Sequence, residues 1–417
     1  MASTYYCLVN LFIAILVSAA SDAAFILPLR KDPKTLQHYT TVGMGSTRAT
    51  VNAVIDLGGK FFWFDCDNYT SSTFAPIPCG SQECELAKGD GCVGCSNSAP
   101  RPGCTNNTCG ASAYNPFQGA LVSQGYESDT LFVRNGDQLA QFTYACMNTR
   151  FSGGLAGGAS GILGLARTNV SLHKQVARTF GFPDQFSMCL PSSGLGKLSI
   201  GADLPTNAAL ISTPLIVNPS STGPAVFVKG QPSDEYFIDV RGVKVDGQLL
   251  SVKSSYFTFD KYGFGGTKFS TTNNFTALHT SLYKPLVRAF IKAAADRNIK
   301  RVTAAAVPPF SACFDSATIP ATATGPSVPT IELVLPGDGI SWKMYGANSM
   351  FAVNEKVTCL AFVDGGGSES RNNNFPSASI VIGTHQLEDN LLEFDLDSST
   401  FRFSSSLLSH NKTCSLL

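Results

Sequence analysis

One carboxylate in the chain stands where acid–base chemistry would need it. Asp56 follows an apolar run and precedes Gly58 in the stretch VIDLGGKFFWFDC, residues 54–66. A carboxyl group at the end of a buried strand, on a turn that glycine allows to fold tightly, is a candidate general acid or base. Such a loop is expected to carry a hydroxyl after the acid, yet Leu57 lies there. Asp56 is therefore either half of an active site or a remnant that only hydrogen-bonds backbone in its own loop.

Cysteines are the second set of reactive side chains, and the chain has 13. Cys7 lies in the N-terminal apolar segment, and the other twelve are an even set that in an exported chain predicts six disulfides. They are Cys66, Cys79, Cys84, Cys92, Cys95, Cys104, Cys109, Cys146, Cys189, Cys313, Cys359 and Cys414. Cys92 and Cys95 have the spacing of a zinc-ligand pair. Four-cysteine zinc sites suit reducing compartments, however, and the chain has only five histidines, so we predict disulfides and no metal.

The N-terminus indicates export. Residues 7–17 are an apolar run followed by small residues, which predicts a signal peptide over residues 1–24 with cleavage near 20–24. The run is too short to span a membrane, and no later stretch reaches 18 apolar residues. Five N-x-S/T sequons also fit a secreted glycoprotein. They begin at Asn68, Asn106, Asn169, Asn274 and Asn411.

Composition excludes several classes of protein. Of the 417 residues, 44% are hydrophobic and 14% charged, so a large core is expected and disorder is not. The formal net charge is zero, which argues against nucleic acid and anionic membranes as partners because both require a basic surface. Plentiful glycine and proline, with few long amphipathic patterns, favour an all-β chain with many turns.

The pattern of strands and turns divides the chain in two. A stretch rich in Pro, Ser, Thr and Gly over 202–235 predicts a boundary between an N-terminal lobe at 25–215 and a C-terminal lobe at 225–417. Residues 66–110 carry seven cysteines and little periodicity, which indicates a disulfide-stapled insertion in the first lobe. Helical spacing of apolar residues predicts one good helix, over 281–299.

Each half also contains an apolar strand that ends in glycine, GILGLA at 161–166 and IVIGTH at 380–385. A candidate acid loop lies upstream of each, so two similar lobes with one loop each predict a cleft between them. In the first half, residues 48–66 are expected to form a hairpin that feeds a buried strand. Ser171 is expected to cap the short helix after GILGLA.

In their order and spacing these elements resemble the pepsin-like aspartic proteases over nearly the whole mature chain. The matching strings are VIDLGG, GILGLA, GFGGTKFSTTNNF with the helix after it, and IVIGTHQLEDNLLEFD. The resemblance implies an all-β, bilobal fold with an interlobe cleft and short helices. It also implies two catalytic aspartates, one in each lobe, that share a proton.

The second aspartate is missing at the matching position. Counting back from the helix places Ser270 where the family has Asp and Thr272 where it has Gly. No Asp occurs from 261 to 295, and Asp260 lies in a glycine-rich turn ten residues too early. Without a partner, Asp56 cannot share a proton. We therefore interpret Asp56 and Ser270 as the positions of a relic dyad and the chain as a non-enzyme.

One plant branch of the pepsin-like fold shares these departures. It comprises xylanase inhibitors, endoglucanase inhibitor proteins, extracellular dermal glycoproteins and basic 7S globulins. The resemblance rests on VIDLGGKFFWFDC, APRPGCTNNTCG, YNPF, GGTKFST, GPSVPTIELVL and YGANSM. It implies a secreted protein of the extracellular space and plant cell wall, without a cofactor, that binds microbial glycoside hydrolases of the GH11 or GH12 class in plant defence.

The resemblance also points to binding residues. A hydrolase cleft carries two carboxylates, and an inhibitor inserts a cationic or hydrogen-bonding side chain between them. In the xylanase inhibitors this is a histidine four residues before the last cysteine, which is where His410 lies relative to Cys414. The endoglucanase inhibitors use arginines, which both matching segments lack, although Lys412 offers a charge. Alternatively, both are solvated tail residues, and a glycan on Asn411 would shield His410.

Three functions remain open at this point. The first is inhibition of a microbial xylanase or xyloglucan endoglucanase. The second is an aspartic-type endopeptidase with residual activity, which the missing dyad argues against. The third is a 7S-globulin-like binding or storage protein with no hydrolase target, which the absence of the arginines keeps open.

Overall fold

The computed structural model describes residues 24–95, 99–133, 136–221, 231–302, 307–367 and 377–417. The predicted signal segment, apart from its last residue, and Cys7 lie outside the described residues. The predicted start of the second lobe also falls outside them, so both assignments stay predictions.

Strands dominate both halves, and the all-β prediction is confirmed. The alternation of buried and partly buried side chains along β2, HYTTVGM, is typical: every second residue faces the core. In the first half the strands are β1 (Phe25–Lys31), β2 (His38–Met44), β3 (Ala49–Asp56), β4 (Phe62–Asp65), β5 (Ala75–Pro76), β6 (Cys92–Val93), β7 (Thr108–Asn115), β8 (Ala120–Phe132), β9 (Gln138–Met147), β10 (Gly161–Gly164), β11 (Gln185–Cys189), β12 (Gly196–Ile200) and β13 (Ile211–Ile216).

The second half continues the same architecture. Its strands are β14 (Phe237–Ile238), β15 (Gly242–Val245), β16 (Gln248–Leu249), β17 (Thr267–Phe269), β18 (Thr276–Leu278), β19 (Arg301–Val302), β20 (Cys313–Asp315), β21 (Ala321–Thr322), β22 (Gly325–Pro326), β23 (Ile331–Val334), β24 (Ser341–Met344), β25 (Met350–Asn354), β26 (Val357–Leu360), β27 (Phe362–Asp364), β28 (Ile380–Ile382), β29 (Leu391–Asp395) and β30 (Thr400–Phe403).

Helices are short, with one exception. The α-helices are α1 (Gln82–Ala87), α2 (Leu172–Phe180), α3 (Thr280–Asp296), α4 (Gly346–Ser349) and α5 (Thr384–Leu387), and 3-10 turns occur at Thr149–Phe151, Ser254–Tyr256, Ser316–Thr318, Leu407–His410 and Cys414–Leu416. The predicted long helix is therefore confirmed as α3. Ser171 does precede α2, but its hydroxyl donates to the carbonyl of Thr168 at 2.9 Å and caps no helical N–H.

A sheet built from both halves joins the two lobes. Its strands run in the order β1–β12–β11–β29–β30–β13, all antiparallel. The junction is the pair β11–β29, where Phe186 lies opposite Phe394 and their rings stack with centroids 4.7 Å apart. The lobes therefore share backbone hydrogen bonds and a core.

The same strand arrangement occurs once in each lobe. β10 pairs in parallel with β3, placing Gly164 beside Asp56, and it also pairs antiparallel with β4. In the second lobe β28 pairs in parallel with β17 and antiparallel with β18. The expected hairpin over 48–66 is corrected by this arrangement, because β10 lies between β3 and β4 and takes the hydrogen bonds that a hairpin would have formed.

All twelve predicted cysteines are paired. The six disulfides are Cys66–Cys146, Cys79–Cys92, Cys84–Cys109, Cys95–Cys104, Cys189–Cys414 and Cys313–Cys359. Three lie wholly within the insertion at 66–110, whose described residues otherwise form α1 and short strand segments. Cys92 and Cys95 bond to different partners. The Cys189–Cys414 bond fastens the end of the chain to the first lobe.

Candidate functional site

The floor of the interlobe cleft is formed by two loops that touch each other. The first begins at Asp56, the last residue of β3, and the second begins at Ser270, directly after β17. The buried N–H of Leu57 donates to the hydroxyl oxygen of Thr271 at 3.0 Å. The structure therefore brings Asp56 and Ser270 into the lining of one cavity, and their interpretation as a relic dyad stays a prediction.

Asp56 is held by backbone groups of its own loop. The N–H of Gly58 donates to its Oδ1 at 2.8 Å, and the Asp56 carbonyl accepts from Leu165 at 2.8 Å. Burial raises the pKa of the Asp56 carboxyl to about 6, and the nearby Glu235 carboxylate adds to the increase. The Gly58 N–H and the Lys268 ammonium oppose it. Asp56 is thus a carboxyl group that titrates near neutrality.

Ser270 is buried and fully engaged within its loop. Its hydroxyl donates to Oδ1 of Asn273 at 2.8 Å and accepts from the N–H groups of Thr272 and Asn273 at 3.3 and 3.2 Å. Its own N–H donates to the carbonyl of Ile382 at 2.9 Å. The side chain therefore closes a turn, and it offers no carboxylate opposite Asp56.

Asp260, the nearest acid in the sequence of this loop, does not take over the missing position. Its carboxylate accepts from the N–H groups of Tyr262 and Phe264 at 2.8 and 2.9 Å and so closes an exposed turn. Asp260 lines a different cavity from Asp56.

The charged pair at the cleft floor was missed by the sequence analysis. The Lys268 ammonium lies 2.7 Å from Oε1 of Glu235, and both side chains are mostly buried. A Cβ placed on Gly58 would lie 3.1 Å from that Glu235 oxygen and 3.5 Å from Oδ1 of Asp56, so both carboxylates border the space over this glycine. Lys268 precedes Ser270 by two residues, and side chains two apart on a strand point to the same face of the sheet. That spacing could have predicted from the sequence that Lys268 lies beside Ser270 at the cleft.

The cavity at this floor has a volume of about 220 Å³. Besides the charged groups it is lined by Trp63 and by Tyr114, which comes from the β7–β8 hairpin that overhangs the cleft. The indole N–H of Trp63 donates to the carbonyl of Tyr114 at 3.1 Å. Of the described residues that line this cavity, Asp56 is the sole aspartate, so the arrangement can hold a proton at Asp56 but cannot share it between two aspartates.

The predicted binding residues lie elsewhere, at the C-terminus. His410 is exposed at the end of a 3-10 turn, and Asn411 after it adopts the left-handed conformation with φ 53°. The segment is anchored to the rest of the protein, since Cys414 is buried and its N–H donates to Oδ1 of Asp389 at 2.9 Å. Lys412 donates its backbone N–H to Leu407 at 3.1 Å. Neither His410 nor Lys412 lines the cavity at Asp56.

The predicted glycosylation sites differ in accessibility. Four of the asparagines are exposed: Asn68, Asn106, Asn169 and Asn411. Asn274 is half-buried, and its amide donates to the carbonyl of Thr35 at 2.8 Å. An N-linked glycan replaces one of the two amide hydrogens, so on Asn274 only the other could keep that hydrogen bond.

The described part of the chain lacks two further classes of site. No cluster of three or more His, Cys, Asp and Glu side chains there is placed to bind a metal ion. No helix within those ranges is both long and apolar enough to cross a membrane.

Comparison with family models identifies two matches. Residues 38–202 match the model described as "Xylanase inhibitor N-terminal" and residues 235–405 match "Xylanase inhibitor C-terminal". The two matches are separated by the segment that the sequence analysis assigned to the lobe boundary.

Curated relatives extend over nearly the whole chain. "Probable aspartic proteinase GIP2" of Nicotiana benthamiana is 41% identical over 95% of this chain and 93% of its own. "Gamma conglutin 1" of Prunus dulcis is 36% identical, covering 98% of this chain and 94% of its own.

Solved structures show the same similarity. The crystal structure of edgp superimposes with a TM-score of 0.88 at 40% identity, covering 94% of this chain and 97% of that one. Basic 7S globulin from soybean superimposes with a TM-score of 0.78 at 28% identity, covering 94% and 99%.

Proposed function

The chain belongs to the xylanase-inhibitor family of pepsin-like proteins, and on that premise we propose that it is a secreted, non-catalytic inhibitor of microbial glycoside hydrolases. Its targets are xylanases of the GH11 class or xyloglucan endoglucanases of the GH12 class. The site of action is the C-terminal segment around His410 and Lys412, and the setting is the plant cell wall in defence.

The loss of catalysis is supported by the chemistry of the two loops. Proteolysis by this fold requires one carboxyl group to activate water while a second donates a proton to the substrate carbonyl. The Ser270 hydroxyl bonds only within its own loop and offers no carboxylate, so Asp56 has no aspartate on that loop with which to share a proton.

The observation that carries the proposed inhibition is the fixed geometry of the C-terminal segment. His410 is exposed, but the backbone beneath it is tied to the first lobe by the Cys189–Cys414 disulfide and to Asp389 by the N–H of Cys414. A segment already held in its binding conformation loses little entropy on association. An imidazole or ammonium presented in this way can hydrogen-bond both carboxylates of a glycosidase cleft.

Inhibition of purified enzymes tests the proposal. The protein is secreted from a plant host with its glycans and assayed against a microbial GH11 xylanase and a GH12 xyloglucanase. We expect loss of hydrolase activity, and we expect His410→Ala to weaken inhibition by about tenfold or more, as truncation of an interface anchor does. Activity of both hydrolases unchanged at micromolar protein would refute the proposed targets.

Two further variants test how much the charge of Lys412 and a glycan on Asn411 contribute to inhibition. Lys412→Ala should weaken inhibition less than His410→Ala, while the exposed Lys356→Ala is the matched control and should have no effect. Thr413→Ala removes the sequon and keeps Asn411 in its left-handed conformation. Stronger inhibition by Thr413→Ala would identify a shielding glycan.

A storage or binding role is the second candidate, favoured by the relatives named gamma conglutin and basic 7S globulin. The third, residual peptidase activity, is favoured by the name of the Nicotiana relative. Peptide turnover at acidic pH that Asp56→Asn abolishes would support it. The absence of both turnover and hydrolase inhibition would leave the storage role.

A further inference from the structure

The Glu235–Lys268 ion pair is held rigidly at the floor of the cleft. Lys268 lies on β17, directly opposite Phe237 of β14 in the antiparallel register, and Glu235 lies just before β14. The Glu235 and Lys268 side chains are 12% and 18% exposed, and their charged atoms are 2.7 Å apart. Lys268 is therefore fixed by β17 and Glu235 by the segment that leads into β14, and removing either charge would leave the other buried without this partner.

Glu235 is also tied to the Asp56 loop in the other lobe. The hydroxyl of its neighbour Tyr236, which is fully buried, donates to the carbonyl of Leu165 at 2.6 Å, and the N–H of Leu165 donates to the Asp56 carbonyl at 2.8 Å. These bonds account for the position of the Glu235 carboxylate over Gly58, 3.1 Å from where a Cβ would stand.

The ion pair lies in the wall of the cavity at Asp56. That cavity has a volume of about 220 Å³ and adjoins a second one of about 490 Å³, with which it shares Lys60, Phe61 and Ser112. An extended peptide that reached Asp56 would have to displace or desolvate the ion pair. Separating a buried pair leaves an uncompensated charge, a penalty that lowers affinity on the order of a hundredfold.

We propose that Glu235 and Lys268 form a fixed ion-pair gate that excludes peptide strands from the interlobe cleft. The gate is a second barrier to proteolysis, separate from the missing aspartate at position 270. Replacing the pair by small uncharged residues opens the floor of the cleft to an extended apolar peptide. The proposal does not depend on hydrolase inhibition.

Peptide binding tests the gate directly. The probe is a fluorescein-labelled apolar hexapeptide with a central secondary hydroxyl, and fluorescence anisotropy reports its binding to the full-length protein. The variant Glu235→Ala/Lys268→Val removes both charges together and leaves neither unpaired. We expect it to bind the peptide at least about ten times more tightly than the wild type.

The neighbouring ion pair provides a matched control. Lys60 and Asp234 also bridge the lobes at the cleft, at 3.7 Å and with greater exposure. Lys60→Met/Asp234→Asn should bind the peptide as the wild type does. If the control gains as much affinity as the gate variant, the effect is a general one of cleft charge and the proposal is wrong.

A second variant is tested if the first one does not fold. Where Glu235→Ala/Lys268→Val gives no cooperative thermal transition, Glu235→Gln/Lys268→Met keeps the bulk and removes the charges, and it is expected to gain about tenfold as well. Wild-type affinity in whichever variant folds overturns the gate. So does tight binding of the peptide by the wild-type protein.

Discussion

The loop at Asp56–Gly58 and the loop at Ser270–Thr272 occupy equivalent places in the two lobes, each after a strand paired in parallel with a partner that ends near a glycine. The first loop keeps a carboxylate and a glycine and has Leu57 where a hydroxyl is expected. The second keeps a hydroxyl, that of Thr271, and has neither a carboxylate nor a glycine.

Together the two loops form a hydrogen bond between the lobes. The donor in this contact is the backbone N–H of Leu57, so it does not depend on the Leu57 side chain. The acceptor is the hydroxyl oxygen of Thr271, at 3.0 Å. Shared-proton chemistry requires a carboxylate on both loops, whereas the hydrogen bond requires a hydroxyl on just one. The hydrogen bond between the lobes is therefore present without a carboxylate on the second loop.

A carboxylate placed on the second loop is expected to have the largest effect. Ser270→Asp puts a second acid close to Asp56 and Glu235 and removes the hydroxyl that closes the turn. We expect the free energy of unfolding at pH 7 to fall by about 3–5 kcal/mol, with much of this recovered at pH 4, where one carboxyl is protonated.

Urea unfolding of Ser270→Asp at the two pH values measures this, with Ser270→Asn as the uncharged control. Peptide turnover should stay absent in the variant, because the Glu235–Lys268 pair remains. Equal stability of the Asp and Asn variants at pH 7 would contradict the expected repulsion.

The two loops are also expected to differ in pH dependence, because the Ser270 loop has no titrating group of its own at that position. Burial raises the pKa of Asp56 to about 6 in the folded protein, against about 4 unfolded. The folded state therefore retains a proton that the unfolded chain releases. The stabilisation is present below about pH 4 and is lost as the pH rises to about 6, by up to about 3 kcal/mol.

Asp56→Asn should abolish that portion of the pH dependence and be more stable than the wild type at pH 7, as measured by urea unfolding from pH 3.5 to 7.5. Glu127 gives a control outside the cleft. Its buried carboxyl, bonded by the N–H of Gly103 and the hydroxyl of Tyr144, has its pKa raised by burial to about 7. In wild-type protein the titration of Glu127 should make the free energy of unfolding depend on pH up to about 7, and Glu127→Gln should remove that dependence. Identical pH profiles of unfolding free energy for Asp56→Asn and Glu127→Gln would contradict the assignment of the lower-pH change to Asp56.

The smallest of the three effects concerns the contact that both loops share. Thr271→Val leaves the buried N–H of Leu57 without its acceptor, which costs about 1–3 kcal/mol. Thermal unfolding measures the loss. Thr272→Val is the control, since the Thr272 hydroxyl bonds only to Ser270 in its own loop, and it should cost less than about 1 kcal/mol. A Thr271→Val variant as stable as Thr272→Val would show that the interlobe bond contributes nothing.

The fold was predictable from local signals, whereas much of the site was not. The glycine-ended strands, the helix α3 and the absent aspartate are each visible within a short window of sequence. Glu235 lies 33 residues from Lys268, in a stretch assigned to the boundary between lobes, so their ion pair depends on the register of β14 against β17. The disulfide partners likewise follow from three-dimensional proximity, which sequence spacing does not determine.

Local signals also failed where a long-range partner was stronger. Residues 48–66 carry a hairpin pattern, but β10, about a hundred residues later, takes the hydrogen bonds on either side of the Asp56 loop. Ser171 precedes a helix as a capping residue does, but the Thr168 carbonyl and the ring of His173 engage its hydroxyl.

The shared sheet has a consequence for attempts to isolate either lobe. β11 of the first lobe hydrogen-bonds along its length to β29 of the second, and β13 leaves the first lobe to pair with β30. A single lobe produced alone would present these strands as unpaired, apolar edges, which recruit other chains and aggregate. The halves of this protein are therefore expected to be soluble only together, and hinge-like rotation of one lobe against the other would have to break a continuous ladder.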